Sequence, residues 1–490
     1  MDLLVLLIVL PLFTAFSLGV ISYFCERFML PVIIGSSLLH LVLTIIVAAQ
    51  AFVEPIGYNL GGWDSSIGIV LIMDSFAAIM ASIISILSFL AIIYSIKYIK
   101  ENILKYYILS FLLVTGTMGM VLTGDLFNLY VFFEVTSIAS YSLVAIKKED
   151  ESIEGAFRYL MIGSFSGLFL LLGIITIYLS LGTLNLAQIA LSFGELDQFT
   201  IISILVLMIV GFGTKFALIP LHTWLPDSYP KAPAPFNLLS SALVIKSFLY
   251  ALMRIVYTLY GVDLLRDIGL EAILIYWGVF TFLIAHTMAY QQDNIKRLLG
   301  YSSIAQIGYI VVGFGVLSHK GIVGAIYHII NHSIMKGALF LALGIFIYYF
   351  NAHKIKDLKG LGFLVPRAGV IFVIGSLAIV GLPPFNGFIS KWLIIEGAIE
   401  GGYLLAAFMI PVGSLISLTY YLKVFIMLYS NPKEGWAKKR VAWQLEIPAL
   451  ILAFFCILLG LFPQYPLYLV ERAPALLLDS QNYISVFLGG

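Results

Sequence analysis

The feature that most constrains this chain is a succession of apolar runs, near residues 3–24, 30–53, 72–96, 106–123, 126–146, 156–180, 200–224, 236–260, 268–290, 302–317, 321–350, 367–397, 402–429 and 445–463. Each is long enough to cross the hydrocarbon core of a bilayer, so the runs predict an all-α polytopic membrane protein with about 14 transmembrane helices. Composition agrees. The chain is 61% hydrophobic and 11% charged over 490 residues, whereas soluble domains carry roughly 25% charged residues. The run at 321–350 exceeds a usual span, which predicts a tilted, bent or protruding helix. A short tail follows from Pro463, with one amphipathic stretch at most.

A net charge of +1 gives no reason to expect nucleic acid or an acidic partner. The two cysteines, Cys25 and Cys456, lie far apart in apolar surroundings and read as inert small hydrophobes, with no disulfide framework, CxxC metal site or iron-sulfur ligation. The first run lacks a basic n-region and is long enough to span, so it reads as a helix and not as a cleaved signal. Alternate loops are basic: one set carries Arg27, Lys97, Lys100, Lys105, Lys147, Lys148, Arg158, Lys231, Lys296, Arg297, the cluster at 354–367 and the cluster at 433–440. The other set carries only Arg266, Lys320 and Arg472. Because cytoplasmic loops are enriched in Lys and Arg, this alternation predicts both termini outside the cytoplasm and an even number of helices.

Six basic residues remain inside apolar runs: Lys215, Lys246, Arg254, Lys336, Lys391 and Lys423. Arg254 and Lys423 read as side chains that snorkel toward the interface. An ammonium within a bilayer is costly, so the other four lysines mark either a functional path or sites held by ion pairs or backbone carbonyls. Pro220 deletes a helix hydrogen bond, and a break is expected near Lys215, with a freed carbonyl able to accept from its ammonium. The stretch GSLAIVGLPPFNGFISKWL repeats the device with Gly381, Pro383 and Pro384 ahead of Lys391. The two breaks stand five helices apart. An odd number would invert a second copy relative to the first, although two independent proline breaks explain the same pattern.

Glu134 lies mid-run with no basic residue within a helical turn, so it needs a cation from another helix, and Lys215 is the candidate. Separating such a pair favours proton release from the lysine; a fixed buried salt bridge is the alternative reading. His328, His332 and Lys336 are spaced i, i+4, i+8 on one helix face. Histidine titrates nearest neutrality and can relay protons, but core histidines bonded to carbonyls fit the same spacing. A metal is disfavoured, since no glutamate follows His328 and no third ligand is evident. Asp74 and Asp125 read as helix caps, and Asp227 as a cap or a partner of Lys231.

At these residues the sequence resembles a known family, the antiporter-like membrane subunits shared by respiratory complex I, energy-converting membrane-bound hydrogenases and multisubunit Mrp sodium/proton antiporters. The resemblance covers residues 55–430 and rests most specifically on GTKFALIPLHTWLPDSYPKAPAPFNLLSSALVIK, GDLFNLYVFFE, NHSIMKGALFLALG and GLPPFNGFISKW. It implies two inverted five-helix repeats, each with a broken helix. The corresponding divisions are N-terminal helices at 1–104, a first repeat at 105–262, a second at 263–430, and a last helix and tail at 431–490. Carried over by motif, the resemblance implies Glu134 as the pairing acid, Lys215 as the first central lysine and Lys246 as the bridging lysine. It likewise implies His328, His332 and Lys336 as a connecting relay and Lys391 as the terminal lysine. The stretch GGWDSSIGIVLIMD, the short tail and a lysine at 391 resemble Mrp D-type subunits, hydrogenase-type subunits or related sulfur-reducing complexes more than complex I proper.

The resemblance further implies a prokaryotic cell membrane and partnership with other membrane subunits, either Mrp-like small subunits or complex I-like subunits. A peripheral redox arm is a further implied partner. Cofactors are expected in the partners, as iron-sulfur clusters with a nickel-iron site as one option, and none in this chain. Without a redox active site here, any hydrogenase, sulfur reductase or NADH dehydrogenase-like activity would belong to the assembled complex. The functional expectation is movement of protons, or exchange of protons for sodium, coupled to redox chemistry in partners. The alternatives are a stand-alone Mrp-type antiporter without a redox module and a non-conducting membrane scaffold; a quinone-reducing enzyme would need a quinone pocket that the sequence does not offer.

Overall fold

The computed structural model describes residues 3–64 and 68–488. Among these, thirteen helices are long and apolar enough to cross a membrane. In chain order the spans are α1 Leu3–Phe24, α2 Met29–Ala51, α3 Ser75–Tyr98, α4 Ile103–Leu122, α5 Leu126–Val144, α6 Asp150–Leu181, α7 Gln198–Lys215, α8 Ala234–Asp267, α9 Leu270–Tyr290, α10 Ile295–Gly315 and α11 His319–Phe350. There follow α12 Pro366–Val380, α13 Asn386–Glu400, α14 Leu404–Leu428 and α15 Trp443–Leu461. The fourteenth apolar run is the pair α12 and α13, 15 residues each, separated by Gly381 to Phe385. The long run at 321–350 is a single helix of 32 residues, which at 1.5 Å per residue reaches about 48 Å and overhangs the bilayer.

Helix starts follow local chemistry. The first turn of a helix leaves backbone N–H groups without partners, and a short polar side chain just before it can accept from them. Asp74 accepts from Ala77 N at 2.9 Å and Asp125 from Asn128 N at 2.7 Å, so both act as the caps expected of them. Asp197, Asn294 and Ser318 cap α7, α10 and α11 in the same way. The segment after α2 forms a two-stranded antiparallel hairpin, β1 Ile56–Asn59 and β2 Val70–Met73, with Ile56 opposite Met73. Ser65, Ser66 and Ile67 of the GGWDSSIGIVLIMD stretch lie outside the described residues. The tail differs from expectation: in place of one amphipathic stretch it forms three short helices at 464–470, 474–478 and 480–488, and Tyr483 of the last is buried against the body.

Loops assigned to the same side by their charge do meet. Lys97, Arg367 and Lys439 line one surface pocket, while Arg472 of the tail donates to the Phe52 carbonyl at 2.7 Å on the opposite side. Asp227 does not pair with Lys231. It takes Arg158 at 3.2 Å and Arg297 at 3.4 Å, while Lys231 faces Glu154, because the turn after the first break lies between α6 and α10.

α8 and α10 are buried along their apolar length, and α11 packs against α3, α8, α10, α12, α13 and α15. The outer helices, by contrast, present large apolar side chains such as Phe16, Phe165 and Leu179 outward, as lipid permits. Lipid gives no hydrophobic force between helices, so close backbone approach through small residues must supply the packing. α9 and α10 show it plainly: a Cβ on Gly278 would stand 2.7 Å from the Gly308 carbonyl oxygen, and one on Gly308 would stand 2.6 Å from that of Gly278. Neither backbone can yield. Gly308→Val should therefore separate the two helices and cost about 1–3 kcal/mol, read as a lowered midpoint of thermal unfolding in detergent; an unchanged midpoint would show that this contact does not hold α9 to α10.

Candidate functional site

α7 ends at Lys215, and the chain then unwinds through Ala217, with φ 60°, and a cis Ile219–Pro220 peptide before resuming helix at Trp224. The break falls where the proline predicted it. The carbonyl that Pro220 deprives of a helical donor is that of Phe216, and the lysine does not take it; Thr214 O nearby accepts from Trp224 Nε1 at 2.7 Å and from Ala217 N at 3.2 Å. The Lys215 ammonium instead donates to Ser137 Oγ at 2.7 Å and Tyr141 Oη at 2.5 Å, with the faces of Phe133 and Phe248 at 4.8 and 5.7 Å. Aromatic faces attract cations electrostatically, which adds to the two hydroxyl bonds. Glu134, Ser137 and Tyr141 are spaced i, i+3, i+7 on one face of α5, so the acid and both acceptors face the same cleft.

Glu134 and Lys215 feel each other's charge but form no contact ion pair in this structure. Two glycines of α6 make room for them. A Cβ on Gly163 would overlap the Tyr141 hydroxyl and stand 2.8 Å from the Lys215 ammonium, and one on Gly167 would overlap Glu134 Oε1.

The second break realises the device expected at the first. α12 ends at Val380, Gly381 turns with φ 87°, and α13 brings Lys391 back so that its ammonium donates to Ile379 O at 3.1 Å, Val380 O at 2.9 Å and Ser414 Oγ at 2.9 Å. The last carbonyls of a helix lack intrahelical partners and carry the negative end of its dipole, so a broken helix offers a buried ammonium both acceptors and favourable charge. Gly381 is needed twice, for its left-handed φ and because a Cβ would stand 3.0 Å from Lys391 Cδ.

Between the breaks, a row of buried polar side chains lies on α8, α10 and α11. A π-helical turn at Ser240–Val244 interrupts α8, and the Lys246 ammonium donates to the Ser241 carbonyl of that turn. Such turns rearrange the backbone ladder and recur at functional positions. Ser241 Oγ lies 3.0 Å from Ser303 Oγ; Ser303 donates to Leu299 O at 3.0 Å, and the same carbonyl accepts from Lys336 Nζ at 2.8 Å. Lys246 and Lys336 are thus joined through two serines and one carbonyl. His328 and His332 stack one turn apart, with ring centroids 6.2 Å apart. His328 bridges Gln306 Oε1, 3.0 Å from Nε2, and Ser390 Oγ, 2.8 Å from Nδ1, and Ser390 precedes Lys391. Both ring nitrogens of His332 are buried without a hydrogen-bond partner among the described residues. His328 thus meets a side-chain amide oxygen and a hydroxyl, and neither histidine bonds to a backbone carbonyl among the described residues.

Several members escaped the sequence. Ser137 and Tyr141 were signalled only by their spacing from Glu134, and Gln306 by being an amide within an apolar run. His286 is fully buried with Tyr309 Oη at 2.9 Å and Tyr420 Oη at 3.1 Å, and the Lys391 ammonium sits 4.6 Å over the same Tyr309 ring. Arg254 does not snorkel: it is 5% exposed and pairs with Asp74 at 2.7 Å, because α8 is enclosed on every side. Among the described residues no group of three or more His, Cys, Asp or Glu side chains is placed to hold a metal ion.

Comparison with known proteins adds the following. A family profile described as NADH:quinone oxidoreductase/Mrp antiporter, transmembrane, matches residues 123–417. The chain is 33% identical to the N-type subunit of the NADH-quinone oxidoreductase of Desulforudis audaxviator over 480 residues, covering 94% of this chain and 95% of that one. It is also 33% identical to the D-type subunit of the Na(+)/H(+) antiporter of Alkalihalophilus pseudofirmus over 497 aligned positions, 98% and 99% of the two chains. A chain of the membrane-bound sulfane sulfur reductase, an archaeal respiratory membrane complex, shares the fold with TM-score 0.94 and 33% identity over 99% of both chains.

The α6 glycines give the cleft a direct test. Gly167→Ala should push the Glu134 carboxylate aside, a movement that a flexible side chain permits, so thermal stability should stay near wild type. Ion transport should fall by about tenfold to a hundredfold, as expected when a reacting group is displaced by an ångström. Gly173→Ala on the same helix meets the flexible end of Met208 at 3.2 Å and Leu207 Cβ at an ordinary 3.4 Å and serves as the control; equal transport in the two variants would show that the position of Glu134 does not matter to transport.

Proposed function

The chain belongs to the NADH:quinone oxidoreductase/Mrp antiporter family of membrane subunits, and from that premise we propose that it moves protons across the membrane along Glu134, Lys215, Lys246, Lys336, His332, His328 and Lys391. One observation carries this reading. Four lysines in four separate buried segments have their ammonium groups held by hydroxyls and backbone carbonyls, with no carboxylate among the described residues in contact with any of them. A lysine paired to a carboxylate keeps its proton, whereas one held by neutral acceptors in a low dielectric gives it up readily when a nearby charge moves. Glu134 is the charge placed to do this for Lys215. Serine hydroxyls and imidazoles then supply groups that can both donate and accept along the route.

The broken helices divide the path into two halves, residues 105–262 and 263–430, related as inverted repeats. This division is supported by a lysine at each break, Lys215 and Lys391. Proton uptake in one half and release in the other, joined by Lys246 and Lys336, would complete a crossing. Exchange of sodium for protons uses the same path and is favoured by the similarity to the D-type subunit of the Na(+)/H(+) antiporter. Energy reaches the path from companion subunits, either a redox arm bearing iron-sulfur clusters or an ion gradient, since no redox chemistry is assigned to residues of this chain.

Lys215→Ala in the assembled complex should lower coupled transport by more than about a hundredfold, the scale of losing a positioned proton donor. Assembly and partner chemistry should remain measurable, and wild-type transport in that variant would sink the proposal. The orientation has its own probe. Cys25 is exposed on the loop after α1 and Cys456 is buried, so a membrane-impermeant maleimide should label the protein in inside-out vesicles and not in intact cells; labelling of intact cells would reverse the assignment.

A further inference from the structure

A basic pocket lies away from the lysine path, where the ends of four spans converge. Its volume is 710 Å³, and Lys97 at the end of α3, Tyr349 at the end of α11, Arg367 at the start of α12, and Lys439, Arg440 and Trp443 at the start of α15 surround it. The one acid lining it, Glu446, is already taken by Arg367 at 2.8 Å. Lys97, Lys439 and Arg440 are exposed and make no ion pair among the described residues. The loop carrying two of them is held in place, since Lys439 N donates to Leu364 O at 3.2 Å and Ala442 N to Tyr349 Oη at 3.0 Å. Two helix N-termini, of α12 and α15, border the same space, and neither has a side-chain cap among the described residues. Free N–H groups and dipole ends of this kind attract anions.

Below the pocket the outer face of α15 carries exposed apolar residues at i, i+4, i+7 and i+11: Trp443, Ile447, Leu450 and Phe454. We propose that this pocket binds the phosphate of an anionic phospholipid headgroup, with the acyl chains lying along the outer face of α15. Cations at span ends stand at the depth of lipid phosphates, and basic pockets between spans are suited to acidic headgroups. The Trp443 indole lies at the boundary, where an amphipathic ring is favoured. Uncompensated cations continuous with an apolar stripe match an amphiphile, whereas a soluble anion would have no use for the stripe.

The test uses the full chain in its native assembly, purified in neutral detergent and titrated with fluorescent phosphatidylglycerol and fluorescent phosphatidylcholine. Saturable binding of phosphatidylglycerol at least about tenfold tighter than phosphatidylcholine is expected, and the Lys439→Gln/Arg440→Gln double variant should lose about tenfold or more of that affinity. Lys97→Gln should show a smaller loss and serves if the double variant does not accumulate; Lys423→Gln, an exposed cation outside the pocket, should match wild type. Equal affinity for the two lipids, or wild-type affinity in the pocket variants, overturns the proposal. So does full displacement of phosphatidylglycerol by millimolar inorganic phosphate, which would mark a free-anion site. Release of a companion subunit from the double variant with lipid affinity unchanged also overturns it, by assigning the pocket to a protein interface.

Discussion

Everything central in this structure depends on satisfying four ammonium groups inside a low-dielectric bundle without giving them carboxylates. An isolated charge transferred from water to such a medium is costly by tens of kcal/mol in the idealised limit, so acceptors have to be found. A regular helix commits one lone pair of each carbonyl to its own amides and leaves only the second to an outside donor. The backbone departs from regular α-helix where they are required: the end of α12 releases Ile379 O and Val380 O to Lys391, and the π-turn of α8 offers Ser241 O to Lys246. Lys336 takes the Leu299 carbonyl of α10, which also accepts from Ser303. At each break the ammonium is buried, Lys215 at 0% and Lys391 at 4% exposure, although Pro220, Leu382, Pro383 and Pro384 of the breaks themselves are exposed.

The two breaks are alike in position and unlike in chemistry. At the first, Thr214 O is taken by Trp224 and Ala217 N, and Lys215 is left to two hydroxyls and a ring of aromatic faces. At the second, the ammonium rests on two backbone carbonyls and a serine. Lys215 is thus the member whose surroundings are built of movable side chains, and it has the acid Glu134 nearby. Arg254 supplies the contrast. It is equally enclosed but bound directly to Asp74, a helix cap, so its charge is fixed in place. A permanent pair organises the end of the bundle, whereas unpaired lysines along its middle can respond to charge.

Insulation completes the arrangement. α8, α10 and α11 are largely buried within the bundle, and α9 meets α10 backbone to backbone at Gly278 and Gly308, while Gly163 and Gly167 of α6 leave room for Tyr141, Lys215 and Glu134. Because lipid offers no hydrophobic force to close the bundle, such backbone contact takes that role. The outer faces are left free to meet lipid or companion subunits.

Sequence by itself determined the spans, the caps and the identity of the charged residues in the apolar runs. Bilayer thickness, capping and proline all act on a few neighbouring residues, so their effects can be read locally. The caps Asp74 and Asp125 and the break after Lys215 are of this kind. Only the tertiary structure decided which acceptor each ammonium found. That choice depends on the rotation and depth of helices far apart in sequence: Pro220 withdraws a donor from the Phe216 carbonyl locally, but Lys215 turns toward Ser137 and Tyr141 of α5. Arg254 was misread for the same reason, since snorkelling requires a path to the surface and the packing around α8 closes it. His286, Gln306 and Tyr309 meet the other buried polar side chains only when α9, α10 and α11 lie together, because a single polar residue in an apolar run acquires its partners from what faces it.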